Sequence, residues 1–247
     1  MRLSIIIVTF NCREALRMTL NSVFGQRADP DSFELLVVDG ASMDGTLEVI
    51  KEHASRLRWI SEKDNGIYDA MNKGIRLARG DYLQFLNAGD LFFDETVLEE
   101  VLPLLDGKND VVFGDIEVVD EDYKKVFDVR YSTRFCLDAL KARGTAICNH
   151  QAFFVKKSVA PFYSDKYKLK GELNWYIDLA STPSLSARHL DKLLITYVLG
   201  GKGYICFWRN LFEWICIVQR RFGLLQNIKN IHSYYRFFRY RFYSSKK

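Results

Sequence analysis

The chain has 247 residues, 48% hydrophobic and 27% charged, which is enough length and apolar content for one large globular core. Its five cysteines (Cys12, Cys136, Cys148, Cys206 and Cys216) form no CxxC pair and no zinc-like spacing, and their odd number reads as reduced thiols in a cytosolic protein. The formal net charge of +4 is unevenly spread: residues 202–247 hold ten Lys and Arg against one acid, Glu213, which leaves −5 on residues 1–201. That tail also carries 13 of the 35 Phe, Trp and Tyr residues, so it presents a different contact surface from the acidic body.

In chain order, "LSIIIVTF" (3–10) is a continuous apolar, β-branched run, the pattern of a parallel strand covered on both faces. With one positive charge and polar residues following at once, the apolar run of "MRLSIIIVTF" is too short for the core of a secretory leader. Ala15, Leu16, Leu20, Val23 and Phe24 then recur at helical spacing. "FELLVVDG" (33–40) is a second strand, and 44–54 a helix with Asp44 as N-cap. A short strand at 57–61, a helix over 67–80 ending at Gly80, and the strand "YLQFL" (82–86) complete the first third. Such alternation predicts right-handed crossovers and a ligand site outside the strands' carboxyl ends. Three of those ends are polar: Thr9-Phe10-Asn11, Asp39-Gly40, and Asn87 to Asp90.

Beyond residue 110 the pattern is less regular. Residues 110–130 predict an antiparallel pair about an acidic turn, 150–158 a strand and a helix start, 171–181 a helix, and 185–201 one or two strands. In the tail, 204–218 is too short and too charged to span a bilayer. Leu224, Ile228, Ile231, Tyr235, Phe238 and Phe242 follow at three- and four-residue steps, flanked by Arg236, Arg239, Arg241, Lys246 and Lys247. This amphipathic, basic and aromatic pattern suits the headgroup region of an anionic membrane. A helix packed on the chain's own core or on a dimer partner is the competing expectation. No nucleic-acid-binding module accompanies the tail.

"IIIVTFN", "LLVVDGASMDGT", "EKDNGIYDAMNKGIRLARGDYLQFLNAGD" and "CNHQAFF", in that order, resemble family 2 glycosyltransferases of the bacterial surface-polysaccharide branch. The resemblance implies an α/β fold of GT-A type, a Rossmann-like, mostly parallel sheet flanked by helices over residues 1–201. Residues 202–247 would form a C-terminal helical extension associated with a membrane. It implies an inverting hexosyl transfer from a nucleotide-diphospho-sugar, a UDP-sugar first, to a lipid-linked saccharide. The work would be done by a cytoplasmic protein on the inner face of the cell membrane, with a homo-oligomer left open. A catalytically silent, membrane-docked binding subunit and a sugar nucleotidyltransferase are the alternatives. The latter would show a Gly-rich, basic loop after the first strand, which "TFNCREAL" lacks.

Carried residue by residue, the resemblance assigns Thr9, Asn11, Glu14 and Asp39 to the nucleoside. Asp64, Gly66, Asn72 and Lys73, with Asp69 between them, fall to the diphosphate and donor sugar. The family's Asp-x-Asp metal motif reads Asn87-Ala88-Gly89-Asp90 here. Asp90 is thus the expected ligand of Mg²⁺ or Mn²⁺, with Asn87 offering a carbonyl to a ribose hydroxyl. His150 and Gln151 line the acceptor and diphosphate side, and Glu172 is the expected catalytic base, with Asp178 its rival.

Overall fold

The computed structural model describes residues 2–131, 134–200 and 206–235. Strands β1 (Leu3–Thr9), β2 (Phe33–Asp39), β3 (Arg58–Ser61) and β4 (Tyr82–Phe85) pair in parallel in the order β3-β2-β1-β4. All seven residues of β1 are buried, as a strand sandwiched between helix layers requires. The intervening helices are α1 (Arg13–Phe24), α2 (Thr46–Glu52) and α3 (Ile67–Leu77).

The sheet continues through β8 (Phe153–Lys156), β6 (Val111–Val119) and β9 (Ala187–Val198) to β5 (Leu91–Phe92). One edge of β6 is shared by β8 and by β7 (Lys125–Val129), both antiparallel, while β9 runs parallel along the other. Parallel strands therefore dominate the first ninety residues and antiparallel pairs join in the second half. Helices α4 (Val97–Val101), α5 (Leu137–Arg143) and α6 (Gly171–Ala180) flank it.

Three local expectations shift. The helix expected over 44–54 starts at Thr46, where Asp44 accepts from the Thr46 amide at 3.0 Å while Gly45 occupies the cap position. α3 stops at Leu77, and Gly80 is not its cap: a Cβ there would sit 2.6 Å from the β1 backbone, so the glycine serves strand packing. After β8, residues 157–159 form a turn instead of a helix start.

The tail forms α7 (Phe207–Phe222) and α8 (Leu224–Lys229), with residues 231–235 also helical. Trp214, Ile217 and Val218 of α7 are buried in the same hydrophobic core as the sheet. The extension therefore packs against the body with one face of α7. No helix among the described residues is long and apolar enough to cross a membrane. Phe238, Phe242 and the five basic residues from Arg236 onward lie outside the described residues. All five cysteines are free thiols.

Candidate active site

The carboxyl ends of β1 and β4, the loop before α3, the approach to β8 and the start of α6 surround an open cleft of about 1700 Å³. Thr9, Glu14, Asp64, Gly66, Asn72, Asn87, Asp90, His150, Gln151 and Glu172 all line it. Parallel strands place their carboxyl ends on one edge, and this convergence is the result.

Asp90 follows β4 and is almost wholly buried. Its Oδ2 accepts from the Gln151 side-chain amide at 2.8 Å and its Oδ1 from the Val198 backbone amide at 2.9 Å. Burial pushes the carboxyl up to about 7, against the opposing pull of those two donors. Beside it, the buried Asn87 Oδ1, His150 Nε2 and Gln151 Oε1 have no hydrogen-bond partner, an unusual cluster of unmet polar atoms in one wall. Burial lowers the His150 pKa, so its ring is held neutral.

Among the described residues no group of three or more His, Cys, Asp or Glu could cage an ion. A hard cation that draws most of its ligands from a diphosphate asks for less. Asp90 keeps unused lone pairs on both oxygens, and unpartnered carbonyl oxygens stand nearby, so the residues present fit such an ion.

Glu172 opens α6, where the helix N-terminus favours an acid. Its Oε2 accepts from the Tyr68 hydroxyl at 2.5 Å, and the Lys170 Nζ stands 3.5 Å from its Oε1. Burial, with the Glu172 charge second, raises the Tyr68 hydroxyl well above its ordinary pKa, so the phenol stays a donor. The Tyr68 ring stacks on Tyr163 (5.2 Å), which stacks on Trp175 of α6 (5.4 Å), tying α3 to α6 beneath the carboxylate. Asp178 points elsewhere, to Asn174 at 2.8 Å and to Arg221 of α7 at 2.6 Å.

Three expected residues do not line the cleft. Asn11 accepts from the Met43 amide at 2.9 Å, and Asp39, fully buried, accepts from the Ser42 amide, the Ser42 hydroxyl and the Ser61 hydroxyl. Both organise the loop after β2. Lys73 pairs with Glu62 at 3.0 Å and donates to the Lys63 carbonyl at 2.9 Å, off the cleft lining. Asn72 reaches the cleft, but both ends of its amide are bonded to the Tyr163 backbone, at 2.9 and 2.8 Å. Cations that do line the cleft are Arg76, Lys168 and Lys170. Asp64 caps the loop before α3 by accepting from the Gly66 amide at 2.8 Å, and Gly66 takes φ +122, a conformation other residues avoid.

Tyr68, Lys170 and Tyr163 had no signal in the sequence. Tyr68 could not be singled out, because its hydroxyl partner lies 104 residues away.

A model of glycosyl transferase family 2 matches residues 4–166. The chain belongs to this family. A PGL/p-HBAD biosynthesis glycosyltransferase of Mycobacterium bovis is 32% identical over 204 residues, covering 78% of this chain and 75% of that one. An uncharacterized glycosyltransferase of Mycobacterium tuberculosis is 35% identical over 161 residues, 63% of this chain and 59% of that one. Among solved structures, S. aureus TarS in complex with UDP superposes with a TM-score of 0.70 at 16% identity, covering 93% of this chain and 69% of that one. The mannosyltransferase PcManGT of Pyrobaculum calidifontis, in complex with GDP-Man and Mn²⁺, gives 0.66 at 17% identity, with 94% and 68% covered. The fold is GT-A, and the family makes the chain a glycosyltransferase.

Proposed function

We propose that this glycosyltransferase moves a sugar with inversion from a nucleotide-diphospho-sugar, a UDP-sugar first, to a lipid-linked saccharide in surface-polysaccharide synthesis. The observation that carries this reading is the Glu172 carboxylate, which shares one cleft with the Asn87–Asp90 loop and is held by Tyr68. Neighbours in fold that were solved with UDP, UDP-GlcNAc and GDP-Man support the donor class.

The nucleoside would lie along Thr9 and Glu14, with the Asn87 Oδ1 accepting from a ribose hydroxyl and satisfying its own unmet bond. Asp90 would hold Mg²⁺ or Mn²⁺, an ion that neutralises the leaving diphosphate when bound. Glu172 would take the proton of the acceptor hydroxyl as that oxygen bonds to the anomeric carbon and the bond to the diphosphate breaks. Tyr68 on Oε2 and Lys170 beside Oε1 would fix the carboxylate in place. Lys168 and Lys170, which line the cleft where Lys73 does not, would supply the protein's positive charge.

The tail supports a membrane-bound acceptor. On α8 and 231–235 the inward face carries two asparagines and the Tyr234 ring, which packs edge-on against Trp214 at 4.9 Å. Asn230 donates to the Lys141 carbonyl at 2.7 Å and Asn227 to the Ile215 carbonyl at 3.2 Å. Leu224, Leu225, Ile228, Ile231 and Tyr235 are each more than half exposed, as are Trp208 and Phe212 of α7. An outward apolar stripe beside basic residues fits an anionic bilayer at the inner face of the membrane.

The test is nucleotide release by purified protein from a panel of UDP-, GDP- and dTDP-sugars, with Mg²⁺, Mn²⁺ or EDTA. Metal-dependent release from one donor is the expected outcome. Binding of a nucleotide with no release, even when lipid-linked acceptors are added, would favour a silent binding subunit instead.

A further inference from the structure

Glu213 lies on the inward face of α7 and is nearly buried. Its Oε2 accepts from the backbone amides of Lys168, Leu169 and Lys170, at 3.1, 2.9 and 3.0 Å. Its Oε1 accepts from the Lys168 amide at 3.2 Å and the Arg209 Nε at 3.2 Å. Three successive amides converging on one carboxylate form an anion nest, here filled from another helix more than forty residues along the chain. The segment it gathers leads straight into Gly171 and Glu172 at the start of α6. A Cβ at Gly171 would lie 2.5 Å from the Tyr68 ring, so this turn has little room to drift without moving the Tyr68–Glu172 bond.

We infer that Glu213 is a positioning residue for glycosyl transfer: from the C-terminal helix it sets the backbone of residues 168–170, and through it the placement of Lys170 and Glu172. Glu213 itself stays off the cleft, which is lined by Lys168, Leu169, Lys170 and Glu172. The extension is then a working part of the acceptor side of the site as well as a docking surface. The donor half, built on β1 and β4, does not depend on this contact. The inference rests on reading Glu172 as the base.

The experiment uses the full chain and needs no acceptor. Nucleotide release by donor hydrolysis, UDP affinity and thermal midpoint are measured for Glu213→Ala and Glu213→Gln, alone and with Glu172→Gln. Misplacing a catalytic group by about 1 Å costs roughly 100-fold, so Glu213→Ala should lower kcat by about that factor with UDP affinity within about twofold of the parent. Glu213→Gln keeps an acceptor oxygen but loses charge-assisted bonding, so a roughly tenfold loss is expected, and this variant carries the test if the alanine form does not fold. In the Glu172→Gln background, Glu213→Ala should add almost nothing, because both act through one group. Unchanged kcat in both variants overturns the inference. So does a parallel loss of UDP affinity, kcat and thermal midpoint, which marks a purely structural contact, and so does full additivity with Glu172→Gln. If Glu172→Gln keeps full activity while Glu213→Ala loses it, the base assignment fails and the coupling to residues 168–170 survives through Lys170.

Discussion

The Gln151 side-chain amide donates to the Asp90 carboxylate at 2.8 Å, joining the loop after β4 to the turn before β8 across 61 residues. With the Val198 amide on its other oxygen, Asp90 is held in place before any ligand arrives. Its carboxyl nonetheless sits near 7 because burial outweighs both donors. A cation at Asp90 must displace a proton over much of the physiological range.

Apparent metal affinity should therefore fall about tenfold for each pH unit below roughly pH 7 and level off above it. Magnesium titrations of nucleotide release at several pH values check this. Gln151→Leu removes a donor that favours the charged form, so the break should move to higher pH. A metal affinity that ignores pH from 6 to 8 would separate Asp90 from the ion.

Asp90→Asn has consequences of opposite sign for activity and stability. Losing the charge at the diphosphate should cost about two to three orders of magnitude in release. An acid with a raised pKa binds its proton more tightly folded than unfolded, so its contribution to stability declines as pH rises from about 4 to about 7. At pH 8 in EDTA the neutral asparagine should thus raise the thermal midpoint, by roughly 2–4 °C for each kcal/mol recovered. The Gln151 amide can turn its unpartnered Oε1 toward the new NH₂ group. Differential scanning calorimetry reads the shift, and a lowered midpoint at pH 8 would contradict the buried, strained carboxylate.

Glu172→Gln should lower release by about 10²- to 10⁴-fold with nucleotide affinity intact, the signature of a lost general base. Tyr68→Phe removes one hydrogen bond to a charged group, worth about 1.5–3 kcal/mol at most, so a loss of roughly 10- to 100-fold is expected. Together the two should be far from additive. Equal losses in binding and turnover for Tyr68→Phe would instead mark the aromatic stack as a folding element.

What the sequence could reveal follows from how local each cause is. β1 and β2 are apolar runs whose burial depends on their own composition, and their bounds came out within a residue. Asn87, Asp90 and Glu172 reach the cleft because strand ends and helix starts direct them there. Lys73 lies off the cleft lining because it pairs with a neighbour, Glu62, and the Asn72 amide is held by the Tyr163 backbone, contacts that the sequence did not show. Tyr68 and Glu213 were invisible because their partners are brought in by tertiary packing alone. The tail's apolar spacing was legible, but spacing does not say which face turns inward. Asn227 and Asn230 decide that by finding backbone carbonyls on α5 and α7.

Away from the cleft, Glu34 of β2 binds the Ser4 hydroxyl and Arg58, each at 2.6 Å, and the Arg79 amide. Burial pushes this carboxyl up, but Ser4, the Arg79 amide and Arg58 together hold it below its ordinary value. A depressed acid stabilises the fold above its unfolded pKa, and that contribution disappears as pH falls through the folded value. Glu34→Ala leaves the Ser4 hydroxyl and Arg58 without their partner, and should cost about 3 kcal/mol at pH 7 with a smaller difference below pH 4. Urea melts at the two pH values give the comparison. A pH-independent loss would assign the effect to packing.

The outward stripe predicts binding to anionic vesicles through Leu224, Leu225, Ile228 and Ile231. These side chains touch little of the folded body, so Leu225→Ser with Ile228→Ser should leave the thermal midpoint and UDP affinity unchanged. Full burial of one such side chain is worth about 1.5–3 kcal/mol, and partial insertion less, so the pair should weaken partitioning by at least about tenfold. Each basic residue near the surface adds about 1 kcal/mol that salt screens, so raising salt should weaken binding to phosphatidylserine vesicles and leave neutral ones, already poor, unchanged. Vesicle flotation at low and high salt separates the apolar and charged contributions. If the double variant still floats but a parent dimer becomes a monomer in sedimentation, the stripe is a contact between copies of the chain and the bilayer reading fails.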